Sequence, residues 1–248
     1  MMNDHEDKEY TEDVVAEEED AGTHIKQLKE KSDLTIKATF LGAHAFPMEY
    51  KENQEAYVDL VINEMLPQIV EEGLADYIDV FCERNYFTPE QLDRILAAGV
   101  KAGLKPKIHV NQFSILGGVE IGVKHGAVSV DHLEELDEND INVLKGADTI
   151  GTALPSCSFF LNIPYSPVKD MIDNNIAVAL ATDYNPGSTP SGNMQFVNSL
   201  ACIKMRMTPN QAINATTING AYAMELGDEL GSITIGKKAN LMITKEIP

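Results

Sequence analysis

Six short apolar or β-rich runs alternate with amphipathic stretches along this chain. The last of them, Ala177 to Ala181, ends abruptly in Asp183 and the turn residues Asn185-Pro186-Gly187. A run of small and β-branched residues that stops at one carboxylate reads as a buried strand delivering an acid to its C-terminal edge. The other runs are Leu34 to Leu41, Tyr77 to Cys82, Lys105 to Val110, Ala127 to His132 and Ala147 to Ala153. Helical patterns fill the gaps between them. Asn53 to Glu72 repeats apolar residues at helical spacing and contains Pro67, which is expected to kink it. Thr88-Pro89-Glu90-Gln91 and Thr208-Pro209-Asn210-Gln211 are capping boxes with proline at the first helical position, opening helices to about Ala102 and Leu226. Further helices are expected over Ser114 to Lys124, from near Asp137, from Ser166-Pro167 and over Gly192 to Lys204. Strands and helices in this alternation specify a parallel α/β sheet with right-handed crossovers, either a barrel or an open sheet.

Charge and cysteine content narrow the function classes. A formal net charge of -20 opposes a polyanionic partner, because nucleic-acid binding needs clustered Lys and Arg. The acids are densest in residues 1–22, which are expected to form a disordered leader. Cys82, Cys157 and Cys202 lack Cys-x-x-Cys spacing, so neither a disulfide framework nor a structural zinc cluster is expected and a cytoplasmic setting fits. No signal-peptide pattern and no apolar run of membrane-spanning length occur, so no membrane partner is expected.

His44, His109, His132 and Asp183 all fall at or just past the C-terminal ends of expected strands. Those ends converge on one pocket in parallel α/β folds, and histidines with an aspartate suit zinc, iron or manganese. His125 beside Gly126 reads as a helix C-cap, and Cys82 beside Glu83 as packing rather than a nucleophile, since a neighbouring acid opposes a thiolate. No Gly-x-Ser-x-Gly elbow, dinucleotide fingerprint or Walker loop is present.

Four segments, Phe40 to Ala45, Lys107 to Gln112, Ser129 to Leu133 and Ala181 to Ser188, resemble in order the motifs of the imidazolonepropionases, a family of the amidohydrolase superfamily. The closing Gly231-Ser232-Ile233-Thr234-Ile235-Gly236-Lys237-Lys238 is similar to the point where that superfamily's barrel enters a small β-sandwich. The resemblance implies a TIM-type (β/α)8 barrel, incomplete here with about six strands over residues 23–230, and the start of a sandwich over 231–248. It implies hydrolysis of the cyclic amide of 4-imidazolone-5-propanoate to N-formimino-L-glutamate with one bound Zn2+ or Fe3+. On this resemblance His109 and Asp183 match metal ligands, and His132 and Asp183 match catalytic positions. His44, Gln112, Asn185, Gly187 and Ser188 match substrate contacts, with Gln112 standing where the family usually has an acid. The family's His-x-His pair is not found in this sequence, so two barrel strands and part of the sandwich are expected to be missing. The competing expectations are an amidohydrolase acting on another cyclic amide and a non-catalytic scaffold. A small-molecule substrate is the expected partner, and a homodimer is compatible with the pattern.

Overall fold

The computed structural model describes residues 20–243. Residues 20–31 form helix α1, and the first strand, β1, is Thr39–Ala43. The others are β2 (Tyr77–Cys82), β3 (Lys105–Val110), β4 (Ser129–His132), β5 (Ile150–Ala153) and β6 (Val178–Leu180). They pair in parallel and in strict chain order from β1 to β6. A doubly wound sheet reverses strand order at its switch point, whereas a (β/α) barrel never does. The order therefore selects the barrel, present as an arc of six strands whose edges are β1 and β6.

The crossovers carry the helices α2 (Gln54–Leu60), α3 (Leu66–Glu71), α4 (Pro89–Lys101), α5 (Gly118–Lys124) and α6 (Glu138–Leu144). Next come α7 (Pro155–Leu161) and α8 (Val168–Asp173) before β6, then α9 (Met194–Ile203), α10 (Pro209–Thr216) and α11 (Ile218–Ala223). The kink expected at Pro67 appears as a π turn over Val61–Met65 joining α2 to α3. Proline lacks an N–H and its ring crowds the carbonyl four residues back, and widening one turn absorbs both defects. Both capping boxes are formed, with Thr88 and Thr208 accepting from Gln91 and Gln211 and each glutamine side chain reaching back.

Three elements depart from the sequence reading. α5 begins at Gly118 rather than near Ser114, because the Glu83 carboxylate holds the N–H groups of Phe113 and Ser114 at 2.9 and 3.2 Å and fixes them as a loop. α7 has no sequence expectation behind it, since its N-cap is Leu154 and makes no side-chain cap. The helix from Thr208 divides at Thr217, where Thr216 and Thr217 hydroxyls donate to carbonyls one turn back and compete with the helical ladder.

The sandwich start expected over 231–248 forms no strand among the described residues, where 231–243 are turns and irregular chain. A two-stranded ribbon is marginal without a sheet to pack on, and Ile233, Ile235 and Ile243 are exposed. The Lys237 amine instead donates to the carbonyls of Gly227 and Leu230. Of the expected leader over 1–22, only its last three residues lie within the described range, and these are helical.

The two faces of the strands divide the labour. Ile78, Val80, Cys82, Ile108, Val110 and Val130 are fully buried beneath the helices. Glycines let helices sit close: a Cβ at Gly99 of α4 would stand 2.5 Å from Ile78, and one at Gly122 of α5 would stand 2.6 Å from Ile108. Alternation then places Tyr77, Asp79, Phe81, Lys107, His109, Ser129 and Asp131 on the concave face. At the N-terminal end of the strands, the Tyr77 hydroxyl and the Lys107 amine donate to the carbonyls of Met224 and Ala223, both at 3.0 Å, so the end of α11 covers that side. The Asn219 amide donates to the Val178 carbonyl at 2.8 Å and covers part of the β6 edge.

Candidate functional site

His109 is the centre of the C-terminal face. Its Nδ1 lies 2.8 Å from Oδ2 of Asp79, while its backbone N–H donates to Oδ1 of the same carboxylate at 3.2 Å. Asp79 comes from the neighbouring strand and is 4 % exposed. Burial would lower the His109 pKa, but the Asp79 charge and hydrogen bond, with Asp131 and Asp183 behind them, raise it to about 9. A carboxylate at Nδ1 fixes the ring and leaves Nε2 for another partner, the usual support of a metal-bound histidine.

His44, just beyond β1, stacks on Phe81 at 5.5 Å between centroids and meets His109 edge-on at 6.1 Å. Burial and the neighbouring His109 hold it below the ordinary imidazole value, against the opposing charges of Asp79 and Asp183. His132 enters the site by a different route. Strand alternation puts Asp131, not His132, at the level of His109, yet the His132 ring lies 5.3 Å from the His109 ring. The backbone explains this. His132 and Leu133 have φ of 85° and 60°, a left-handed turn that carries the side chain inward. Asn111 and Asp183 are also left-handed, with φ of 56° and 52°. Non-glycine residues in this region cost of order 1–3 kcal/mol each and gather where function holds them.

Asp183 is held by its own loop. Asn185 Nδ2 donates to its Oδ1 at 3.0 Å and Ser188 Oγ donates to its Oδ2 at 2.9 Å. Asn185 Oδ1 in turn accepts from the N–H groups of Gly187 and Ser188 at 2.8 and 2.7 Å. The Asn-Pro-Gly-Ser turn is thus the carboxylate's scaffold as well as a candidate substrate contact. Gln112 is buried, and its Nε2 donates to Sγ of Cys157 at 3.4 Å. The structure therefore gathers His44, His109, His132, Gln112, Asp183, Asn185, Gly187 and Ser188 at one end of the sheet.

Four contributors lay outside the sequence expectations. Asp79 sits mid-strand, and its only signal is one acid at a concave-face position of an otherwise apolar run. Glu83, 2 % exposed, accepts from Arg84, Phe113 and Ser114 and so clamps the loop that bears Gln112. Glu134 and Cys157 lie beside His132 and are fully buried or nearly so. Two other expectations hold: His125 is the C-cap of α5 and its ring pairs with Asp93 at 2.7 Å. Cys82 is a buried thiol pushed up to about 12 by burial, Glu83 and Glu90, which leaves it unreactive. His109 and Asp183, with the Asp79 support, are donors of the kind a divalent cation takes.

The chain matches the model of the amidohydrolase family over residues 5–247. It is 63 % identical over 224 residues to an imidazolonepropionase of Christiangramia forsetii and 61 % identical over 223 residues to one of Flavobacterium johnsoniae. Each alignment takes in 90 % of this chain and 54 % of the relative, so the chain spans about half the length of these curated relatives. Among solved structures, a 5-methylcytosine deaminase from Klebsiella pneumoniae superposes with a TM-score of 0.72 at 16 % identity, covering 93 % of this chain and 62 % of its own. An adenosine deaminase from Xanthomonas campestris with bound zinc gives 0.62 at 18 %, covering 82 % and 51 %. At these identities the structures bear on the fold alone. Among the described residues no helix is long and apolar enough to cross a membrane.

Proposed function

The chain belongs to the amidohydrolase family, and on that premise we propose that its C-terminal face takes 4-imidazolone-5-propanoate and opens the ring by hydrolysis to N-formimino-L-glutamate. The observation that carries this reading is the Asp79-supported His109 beside the Asn185 and Ser188 clamp on Asp183, in a chain 63 % identical to an imidazolonepropionase. His109 and Asp183 would hold the cation, zinc or iron, which lowers the pKa of water to roughly 7 and polarises the ring carbonyl when bound. Asp183 then accepts a proton from the attacking water at a carboxylate oxygen and passes it to the ring nitrogen as the C–N bond breaks. His132 donates a hydrogen bond to the carbonyl oxygen as negative charge builds there. The Asn185 and Ser188 bonds keep Asp183 oriented through both transfers. His44 and the Asn185-to-Ser188 loop would contact the substrate. Gln112 is an amide and cannot serve as a base, so the proton work falls on Asp183.

The test measures zinc content and consumption of 4-imidazolone-5-propanoate by the intact chain and by Asp183→Ala. The reading expects zinc uptake that Asp183→Ala lowers, and ring opening that it abolishes. Zinc uptake without any turnover or substrate binding would overturn the catalytic reading and favour a non-catalytic scaffold.

A further inference from the structure

We propose that His132, Glu134 and Cys157 form a second cation site, built for a thiophilic divalent metal and adjoining the His109 and Asp183 pair. One ligand atom from each of the three lies within 4.8 Å of the other two, and all three residues are buried. Tetrahedral zinc holds nitrogen, oxygen and sulfur ligands roughly 3.3–3.8 Å apart, so closing the site takes only side-chain adjustment. Two atoms in this group have no hydrogen bond: His132 Nδ1 and Glu134 Oε2 are buried and face each other at 3.5 Å. A carboxylate oxygen left so deep without a donor is costly unless a cation or donor meets it.

The surroundings hold the three groups still. Ser158 Oγ donates to the other Glu134 oxygen at 3.0 Å, and Ser166 Oγ donates to the His132 carbonyl at 2.7 Å. Cys157 is fixed in the short helix α7. The Gln112 amide lies 3.4 Å from the sulfur, where turning it presents an oxygen, and the side chains of Ser188 and Asp183 also hydrogen-bond the thiol, so this site adjoins the first. Charge balances as well: an ionised Glu134 and a Cys157 thiolate neutralise a divalent ion, with neutral imidazole completing the set. Binding breaks the S–H bond, forms a metal–sulfur bond and releases one proton to water. A thiolate selects zinc, cadmium or cobalt over magnesium and calcium. Occupancy would also fix the His132 ring.

Cobalt(II) chloride titrated into the intact chain reads the sulfur directly, through a thiolate-to-cobalt charge-transfer band in the near ultraviolet. The band is expected in the wild type, lost in Cys157→Ser, weakened in Glu134→Gln, and retained in His109→Gln and in the Cys82→Ser, Cys202→Ser double variant. Thermal melts establish that each variant is folded. No band in the wild type, or a band surviving Cys157→Ser, overturns the proposal. Loss of the band in His109→Gln would assign the sulfur to the first site and overturn the proposal of a second one. None of these readouts uses the substrate, so the outcome is independent of the hydrolytic reading.

Discussion

Replacing Glu83 with glutamine tests whether one buried carboxylate builds the loop that carries Gln112. Oε2 accepts from the N–H groups of Phe113 and Ser114, and Oε1 accepts from the N–H of Arg84 and the hydroxyl of Ser114. An amide presents one acceptor and one donor, so some N–H group must face an NH2 whichever way it turns. The better orientation puts the NH2 at the Oε1 position, where the Ser114 hydroxyl can rotate to accept and only the Arg84 bond is lost. That leaves one orphaned donor, about 1–3 kcal/mol, and makes the two remaining bonds neutral, roughly half as strong as their charge-assisted forms. Arg84 and Phe113 are partly solvated, which places the total at the low end, about 2–3 kcal/mol. For a chain of this size that is a Tm fall of roughly 4–12 °C, read by calorimetry or circular dichroism. Amide exchange at Phe113 and Ser114 should quicken before the sheet does. A Tm within 2 °C of wild type together with unchanged exchange at both amides would refute the clamp.

Asp76 ties Lys29 of α1 and the N–H of Ala38 at 2.7 and 2.8 Å. Burial would raise its pKa, but these bonds and the charges of Lys29 and Lys37 hold it below the ordinary 3.8. Its contribution to stability is present above the unfolded value and is lost as pH falls through the lower folded value; Asp76→Asn should flatten that acid limb in pH-dependent melts, and an identical limb would count against it. Gly99→Ala sets a helix gain of about 1 kcal/mol against a Cβ 2.5 Å from Ile78, where overpacking costs about 1–3 kcal/mol. Net destabilisation is expected in urea unfolding, and a stabilised variant would show that α4 can slide. Asp79→Asn, made in a Cys157→Ser background so that one site is read, should weaken zinc binding about 10- to 100-fold in chelator competition; unchanged affinity would remove Asp79 from the support of His109.

The local signals in the sequence survived folding where one residue type does one job. Thr88 and Thr208 announced their helices because a hydroxyl followed three residues later by glutamine satisfies orphan N–H groups wherever the chain goes. Lys105 to Val110 and Tyr77 to Cys82 were readable as strands because both bury one apolar face beneath helices. His44, His109 and Asp183 were readable as site candidates because parallel strands deliver their ends to one side.

Tertiary structure decided what depends on a partner far away in the chain. Barrel arc against open sheet was settled by strand order, which no local pattern encodes. The sandwich expected to start after Gly231 needs further strands to pair with, and none among the described residues lies beside it. α5 started late because Glu83, some thirty residues upstream, had already taken its first N–H groups. Asp79 became the support of His109 only through pairing of β2 with β3, and His132 joined it only because the backbone accepts a left-handed φ of 85° there. The sequence by itself determined which residues could do chemistry at the ends of the strands. The packed sheet determined which of them face one another, because those distances are set by register and strain, not by spacing along the chain.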